Sequence, residues 1–318
     1  MVTSSASLPK HVTYYSLYGM TIESEWPLNL SPREHGTSVD LRIIKANGPL
    51  RPDLPLQTSA SGIIWAQASD GRLYLARPGY FEFAITADGR YISVLALADG
   101  HIAELQTILF GPVISFALLK RGIEQTHSTA IVVDGAAAAF IGESTFGKST
   151  LAASFLAAGH KVLTDDLLLA QRVGESMWAQ PGLPRLKLFP EAAKQVLARP
   201  VEAATRSVLS PKLLLPLSER EFQPTPVRLK AVYALSDPDE DHAAISIEPL
   251  SKRDAFLRIL ESNYNTVLSD TERGVGPFKL AADIASTVPV ASLSYSRNFS
   301  ILSRVRDAVL SDLTRGDQ

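Results

Sequence analysis

The chain has 318 residues, of which 46% are hydrophobic and 20% charged, a composition typical of a globular protein. Its net charge of −2 gives no bulk attraction to nucleic acid or anionic membranes, and the absence of cysteine excludes disulfides, thiolate catalysis and cysteine-ligated zinc. The N-terminus lacks a signal-peptide pattern and no apolar run has membrane-spanning length, so we expect a cytoplasmic protein that binds neither nucleic acid nor membrane.

The first hundred residues predict a mainly β region. Short segments rich in β-branched and aromatic residues alternate with turns that contain proline or glycine. The predicted strands cover residues 12–18, 39–44, 62–66, 80–85 and 91–95. A helical segment follows within residues 104–121, kinked or restarted at Gly111 and Pro112, with Gly122 placed to cap it. We expect a mainly β N-terminal domain over residues 1–122, ending in a helix, and a second domain over residues 123–318.

The second half alternates strand-like and helix-like segments. Residues 129–133 and 136–141 predict a hairpin, because Asp134 and Gly135 suit a type I′ turn. Further strands are predicted at residues 161–164, 167–170, 227–235 and 290–293. Helices are predicted from residue 148 to near Gly159, from Pro190, and over residues 251–262, 277–287 and 299–313, with a loop over 199–211.

Residues 142–149 form the most informative stretch. They read Gly-Glu-Ser-Thr-Phe-Gly-Lys-Ser, which fits the phosphate-binding pattern G-x-x-x-x-G-K-[ST] between a strand-like and a helix-like run. Glycines let the backbone wrap around an anion, and the start of a helix favours negative charge. Lys148 is expected to reach the β- and γ-phosphates and Ser149 to ligate Mg²⁺; the alternative is a glycine turn before an ordinary helix. The residues expected to bind the nucleotide are Gly142, Glu143, Ser144, Thr145, Phe146, Gly147, Lys148, Ser149 and Thr150.

Two neighbouring carboxylates form a second motif. Asp165 and Asp166 follow Lys148 by seventeen and eighteen residues, at the end of the strand predicted over residues 161–164. A carboxylate at the carboxyl end of a strand beside a phosphate-binding loop is suited to bind magnesium or to act as a general base. The alternative interpretation is a solvated turn.

Together these motifs resemble the catalytic domain of HPr kinase/phosphorylase. In that family a histidine precedes the first loop glycine by fifteen residues, as His127 precedes Gly142, and paired aspartates follow the loop lysine at the spacing found here. The resemblance covers about residues 123–240. It implies an α/β fold, a P-loop kinase domain of the HPr kinase/PEP carboxykinase-like type, with ATP as donor, Mg²⁺ as cofactor and assembly into a homo-oligomer.

The resemblance also implies roles for individual side chains. Asp165 would be the general base and Asp166 would hold the metal directly or through water, although the two roles could be exchanged. Lys148 would neutralise charge in the transition state. His127 is a candidate to hydrogen-bond Asp165 and hold its rotamer; the alternative is a histidine without a role in the site.

Four basic residues are candidates for substrate binding. Arg185 and Lys187 alternate with leucines, so both would project from one strand face and either line the site or face solvent. Arg206 and Lys212 lie in or beside the predicted loop over residues 199–211. Basic loops can close over phosphates, but loops are basic for many other reasons.

The chain departs from the bacterial enzymes that act on HPr itself. Their Glu-Ile-Arg-Gly-Leu-Gly motif is missing, and residues 181–191 read Pro-Gly-Leu-Pro-Arg-Leu-Lys-Leu-Phe-Pro-Glu. With the β-rich first hundred residues and residues 288–293, this run is similar to HPr-kinase-related proteins of peptide-biosynthesis gene clusters. Some of those, the lasso-peptide kinases, phosphorylate a serine of a precursor peptide. The resemblance implies a serine kinase for a precursor peptide or small protein; the alternatives are a small-metabolite hydroxyl kinase and a non-catalytic nucleotide-binding switch.

Overall fold

A computed structural model of the chain describes residues 12–34, 38–59, 62–98, 102–199, 205–207, 210–237, 244–264 and 274–315. The chain divides into two compact units, Met1–Arg121 and Gly122–Gln318. The first ten residues, where we predicted no signal peptide, and parts of the loop predicted over residues 199–211 lie outside the described residues. Within the described ranges, no helix is both long and apolar enough to cross a membrane.

The first unit is built on a nine-stranded sheet with the strand order β3-β1-β2-β4-β9-β8-β7-β6-β5. Its strands are β1 (Thr13–Leu17), β2 (Met20–Ser24), β3 (Pro32–Arg33), β4 (Leu41–Lys45), β5 (Gln57–Thr58), β6 (Ile64–Gln67), β7 (Leu73–Arg77), β8 (Phe81–Ile85) and β9 (Tyr91–Ala96). In β8, Phe81, Phe83 and Ile85 are buried and alternate with half-buried neighbours, as expected for a strand with one face on the core. Five of these strands overlap the predicted ones; β2, β3, β5 and β7 were not predicted.

A kinked helical segment ends this unit. It comprises α1 (Ile102–Ile108), a π-helical turn (Leu109–Val113) and α2 (Ile114–Lys120). Gly111 has the non-helical angles φ −100° and ψ −105° directly before Pro112, so the kink predicted at these two residues is confirmed. Gly122 follows the helix with a positive φ of 72°, the conformation of a helix-terminating glycine.

The second unit contains a central nine-stranded sheet. It follows the order β12-β10-β11-β19-β15-β14, with β13 beside β10, β21 beside β19 and β20 beside β21. Its strands are β10 (Thr126–Val133), β11 (Ala136–Ile141), β12 (Lys161–Thr164), β13 (Leu167–Leu168), β14 (Ala170–Val173), β15 (Ser176–Ala179), β19 (Val227–Leu235), β20 (Ser246–Pro249) and β21 (Val290–Ser294). A separate small sheet pairs β16 (Arg185–Leu188) with β18 (Leu213–Pro216) and β18 with β17 (Thr205–Arg206). The predicted β10–β11 hairpin is confirmed, with positive φ at Asp134 and Gly135.

Helices cover both faces of the central sheet. They are α3 (Lys148–Ala157), α4 (Pro190–Leu197), α5 (Lys252–Glu261), α6 (Gly276–Thr287) and α7 (Leu302–Arg315), the last preceded by a 3₁₀ turn (Phe299–Ile301). One core cluster joins the sheet to α3, α4 and α7 and contains Phe140, Phe155 and Tyr233. The opposite cluster joins it to α5 and α6. Burial on both faces explains why β11 reads as a nearly continuous apolar run.

The strand directions bring several strand ends to one edge. β11 and β12 are both antiparallel to β10, which lies between them, so their carboxyl ends lie at the same edge. β19 and β21 extend this set because β19 is parallel to β11 and β21 is parallel to β19. The residues that follow β11, β12, β19 and β21 therefore share one edge of the sheet, where ligands commonly bind in open α/β sheets.

Candidate functional site

Residues 142–149, called the glycine loop below, connect β11 to α3. Gly142 has a φ of 141° and Gly147 a φ of 92°, both in a region that residues with a side chain rarely adopt. A Cβ atom on Gly142 would also lie only 3.1 Å from Cδ2 of Phe146, which packs on the core. Thr145 holds a φ of 77° without being glycine, which is local backbone strain. The two pattern glycines are therefore required by the backbone path.

The glycine loop ends at the first turn of α3. Gly147 caps this helix without a side-chain hydrogen bond, and the first N–H groups of a helix have no acceptor within it. Lys148 is 6% exposed, and its Nζ donates to the carbonyl oxygens of Gly142 at 2.7 Å and Glu143 at 2.8 Å. Burial lowers the pKa of Lys148 to about 8, against the opposing attraction of Asp165. The loop thus combines N–H groups at a helix start with a buried cation.

Asp165 and Asp166, called the acid pair below, lie beside the glycine loop, and Asp165 contacts it directly. Its Oδ1 accepts hydrogen bonds from the Thr129 hydroxyl at 2.6 Å and from the Ser149 hydroxyl at 2.8 Å. Its Oδ2 accepts the Lys187 backbone N–H at 2.7 Å. Burial, followed by repulsion from Asp166, raises the pKa of Asp165. Ser149, the last residue of the loop, therefore donates to a buried carboxylate that accepts hydrogen bonds from three donors.

Asp166 has a different environment from its neighbour. It forms an ion pair with the Lys187 ammonium, and its side chain is 19% exposed. Burial alone would raise the pKa of Asp166, but Lys187 outweighs it, aided by His127 and Arg185, and the pKa falls to about 2. Asp166 also holds a strained φ of 76°. It is therefore an anion at neutral pH, fixed by a lysine from β16.

His127 lies near Asp166, but the hydrogen bond expected between His127 and Asp165 is not found among the described residues. Thr129 donates to Asp165 instead, two residues farther along the same face of β10. Burial, followed by repulsion from Lys148, lowers the pKa of His127 to about 4, so its imidazole is neutral at pH 7.

Tyr264 is a neighbour of His127 that sequence reasoning missed. Its ring lies edge-on to the imidazole, with 5.7 Å between ring centroids. Burial, then the charge of Asp166, raises the pKa of its hydroxyl. Tyr264 follows α5, far from His127 in sequence, and a bridge between Thr126 and Asn263 brings the two together. No local pattern points to this contact.

The glycine loop forms one wall of a cleft of about 50 Å³. The lining residues are His127, Ser144, Thr145, Gly147, Lys148, Ser149, Thr150, Lys187, Leu188, Phe189 and Lys212. The cleft thus brings together six of the predicted loop residues, the predicted histidine and two of the four predicted basic residues. Arg185 lies near enough to Asp166 to lower its pKa, whereas Arg206 is exposed on β17 and is not part of the lining.

Arg297 is a second residue that sequence reasoning missed. It follows β21, and its Nη2 donates to the Ser236 carbonyl oxygen at 2.7 Å while its guanidinium stacks 4.0 Å from the Tyr295 ring centroid. A Cβ atom on Gly147 would lie 3.9 Å from its Nε. This Nε is buried and has no acceptor within the part of the chain that the structure describes. Arg297 adds a positive charge beside the glycine loop.

The hydroxyl and carboxylate oxygens at this edge of the sheet suit a Mg²⁺ ion that is bound together with phosphates and water. The described residues contain no group of three or more histidine, aspartate or glutamate side chains that could hold a metal ion. Mg²⁺ usually keeps several waters and binds one or two carboxylates together with substrate phosphates. Ser149 and the acid pair offer hydroxyl and carboxylate oxygens of this kind.

Comparison with known proteins gives a likeness at the level of solved structures. No protein-family model matches the chain, and no curated protein matches it. Among solved structures, it is similar to the Hpr(Ser) kinase/phosphatase from Coxiella burnetii, with 11% sequence identity over 59% of this chain and 97% of that chain and a TM-score of 0.32. At that identity and TM-score the likeness carries no argument about activity. The chain is a mixed α/β protein with several sheets.

Proposed function

We propose that this protein is a Mg²⁺-dependent kinase that transfers the γ-phosphoryl group of ATP to a serine hydroxyl. The observation that carries the proposal is the 2.8 Å hydrogen bond between Ser149 Oγ and Asp165 Oδ1. A glycine loop alone binds an anion. A buried carboxylate in contact with its last hydroxyl adds the means to hold a metal beside the phosphates, as in other phosphoryl-transfer sites.

The glycine loop would bind the phosphates of the nucleotide. Backbone N–H groups over residues 143–149 and the start of α3 favour negative charge. The Lys148 ammonium, now bonded to two loop carbonyls, would exchange them for phosphate oxygens. A desolvated ammonium interacts strongly with an anion. This lysine would therefore stabilise the negative charge that develops on the phosphate oxygens during transfer.

Three features support an exchange of the roles first assigned to the acid pair. Asp165 contacts Ser149, the expected metal-binding hydroxyl. Asp165 is also the more buried of the two carboxylates, at 5% exposure, whereas a base must reach the acceptor. His127 interacts electrostatically with Asp166, since each group shifts the pKa of the other, so it lies near that carboxylate. We therefore propose Asp165 on the metal side and Asp166 as the base, whose pKa, about 2 in the free protein, would rise when Lys187 moves away from it.

The acceptor oxygen forms a bond to the γ-phosphorus as the bond from that phosphorus to the β,γ-bridging oxygen breaks, and the hydroxyl proton passes to Asp166. Mg²⁺, when bound with the nucleotide, neutralises phosphate charge. The ion pair between Lys187 and Asp166 would weaken as that carboxylate accepts the proton. Neutral His127 and Tyr264, whose rings pack edge to face, would hold the Asp166 side chain in position.

The acceptor that we propose is a serine near the end of a ribosomal precursor peptide of the lasso type, or of a small protein. This part of the proposal rests on the resemblance carried by residues 181–191 and 288–293. We also propose a cytoplasmic homo-oligomer, on the same basis.

Incubation with labelled ATP, Mg²⁺ and a panel of acceptors tests the function. The panel contains precursor peptides with terminal serine, free serine and sugars. We expect label on the peptide serine. Label on free serine or a sugar alone would indicate a metabolite kinase, and ATP binding without transfer to any acceptor would indicate a switch. Lys148→Met should abolish transfer, whereas Lys194→Met, at an exposed position of α4, is the matched control that should not.

A further inference from the structure

Phe189 places an exposed aromatic ring on the wall of the cleft. It is the cap residue before α4, it is 38% exposed, and it lines the cleft together with Thr150 and Lys212. Pro190 follows it at the first position of the helix and restricts the backbone there. Most of the other cleft-lining side chains are polar or charged. A large apolar ring in such a cleft is suited to contact a flat, partly apolar part of a ligand.

The ring is separated along the strand from Lys187, the residue that pairs with Asp166. Phe189 follows Lys187 by two residues, and two residues of an extended strand advance about 6.6 Å. Lys187 pairs with Asp166, so the reacting end of a nucleotide would lie at one end of this wall and the ring at the other. That separation is on the scale of a polyphosphate chain.

Lys212 supplies a cation next to the ring. β16 and β18 pair Leu188 with Leu213, which brings the preceding Lys212 beside Phe189. The Lys212 Nζ lies 5.5 Å from the ring centroid. The ammonium therefore lies over one face of the ring, and a base would stack on the other. This arrangement matches the two halves of a nucleoside polyphosphate, since bases stack on aromatic rings and ammonium groups bind phosphates.

We propose that Phe189 is the platform on which the base of the bound nucleotide stacks, with Lys212 beside it on the phosphate chain. The inference rests on the proposed function and adds how the nucleoside is recognised. Every base has a π-face, so stacking on this ring does not distinguish adenine from guanine. The ligand class is a nucleoside di- or triphosphate, and inorganic pyrophosphate would bind without using the ring.

Calorimetric titration of the full-length protein with Mg²⁺ and ADP, GDP or pyrophosphate tests the inference. We expect Phe189→Ala to weaken ADP and GDP by the same factor, roughly 5- to 150-fold, the range that base–aromatic stacking supplies. Pyrophosphate binding should be unchanged. Phe189→Trp should keep ADP binding. Phe278→Ala, which removes a 50% exposed aromatic side chain on α6, is the matched control and should change none of the three.

Two results would overturn the inference while the proposed function stands. One is ADP binding by Phe189→Ala equal to that of the unmodified protein. The other is an equal loss of ADP and pyrophosphate, which would mean that the ring only supports the cleft wall. Failure of the unmodified protein to bind any of the three ligands would instead remove the proposed function, and this inference with it. A thermal melt of each variant separates loss of binding from loss of folding.

Discussion

The two ends of the central sheet both carry cavities, and the larger one is the weaker candidate for a catalytic site. At the amino ends of β11, β19 and β21 a cavity of about 580 Å³ is lined by Arg228, Lys230, Arg315 and other residues. At the carboxyl ends the cleft measures about 50 Å³. Volume alone would favour the amino end.

The difference lies in the burial of charge. Asp134, Arg228 and Arg315 at the amino end are exposed to solvent. Lys148 and Asp165 at the carboxyl end are 6% and 5% exposed. The Lys148 ammonium donates to the Gly142 carbonyl oxygen, and the Asp165 carboxylate accepts from the Ser149 hydroxyl. Desolvated charges interact more strongly with a ligand than solvated ones, and perturbed groups of this kind cluster at functional sites. We therefore expect substitutions at the two ends to separate activity from stability.

The largest expected effect comes from the acid pair. Asp166→Asn should lower the turnover number by roughly 10²- to 10⁴-fold with little change in Mg²⁺ requirement, because it removes the proposed base. Asp165→Asn should instead raise the Mg²⁺ concentration needed for half-maximal rate. Steady-state kinetics across a Mg²⁺ series measures both. The reverse pattern would restore the first assignment, with Asp165 as base.

Nucleotide affinity should depend on the charge of Lys148. Its pKa is about 8 in the free protein, and bound phosphates would raise it, so binding above that pH requires uptake of a proton. We expect ADP to bind about tenfold more weakly near pH 9 than near pH 7, while His127 stays neutral throughout. Lys148→Arg should remove most of this pH dependence, measured by calorimetry. A pH-independent affinity of the unmodified protein would show that Lys148 is not the group that titrates.

Glycine-to-alanine substitutions at the two ends of the central sheet should have different effects on ADP affinity. Gly142→Ala combines a strained φ of 141° with a contact at 3.1 Å, so ADP affinity should fall by roughly tenfold or more. Gly135→Ala, at a φ of 78° with no atom within 4 Å of its Cβ, should cost only about 1 kcal/mol of unfolding free energy. Denaturant titration and ADP binding of both variants check this. Equal losses of affinity would contradict it.

The smallest expected effect is at the amino end. The buried Tyr233 hydroxyl donates to Asp312 at 2.8 Å beside the larger cavity. Tyr233→Phe should lower the free energy of unfolding by about 0.5–1.5 kcal/mol and leave phosphoryl transfer unchanged. Urea denaturation measures the first and the labelled-ATP assay the second. A large loss of transfer would mean that the two ends are coupled.

Sequence alone determined the local elements around the site. Asp134 and Gly135 fixed the β10–β11 hairpin through their turn preference, and the apolar run of residues 227–235 became β19 with those bounds. Glycines 142 and 147, which the phosphate-binding pattern placed in one loop, both adopt positive φ angles that glycine favours. These features depend on neighbours within a few residues, so the sequence carries them directly.

The tertiary structure decided which side chains meet. Thr129 and Lys187 reach Asp165 from 36 and 22 residues away, and Thr129 takes the position that the sequence suggested for His127. Tyr264, Arg297 and Phe189 come to the same edge because strands and helices far apart in the chain end there. No periodicity or spacing records such contacts, since packing of the whole sheet sets them. The identities of the acids were readable from the sequence, whereas their different environments required the fold.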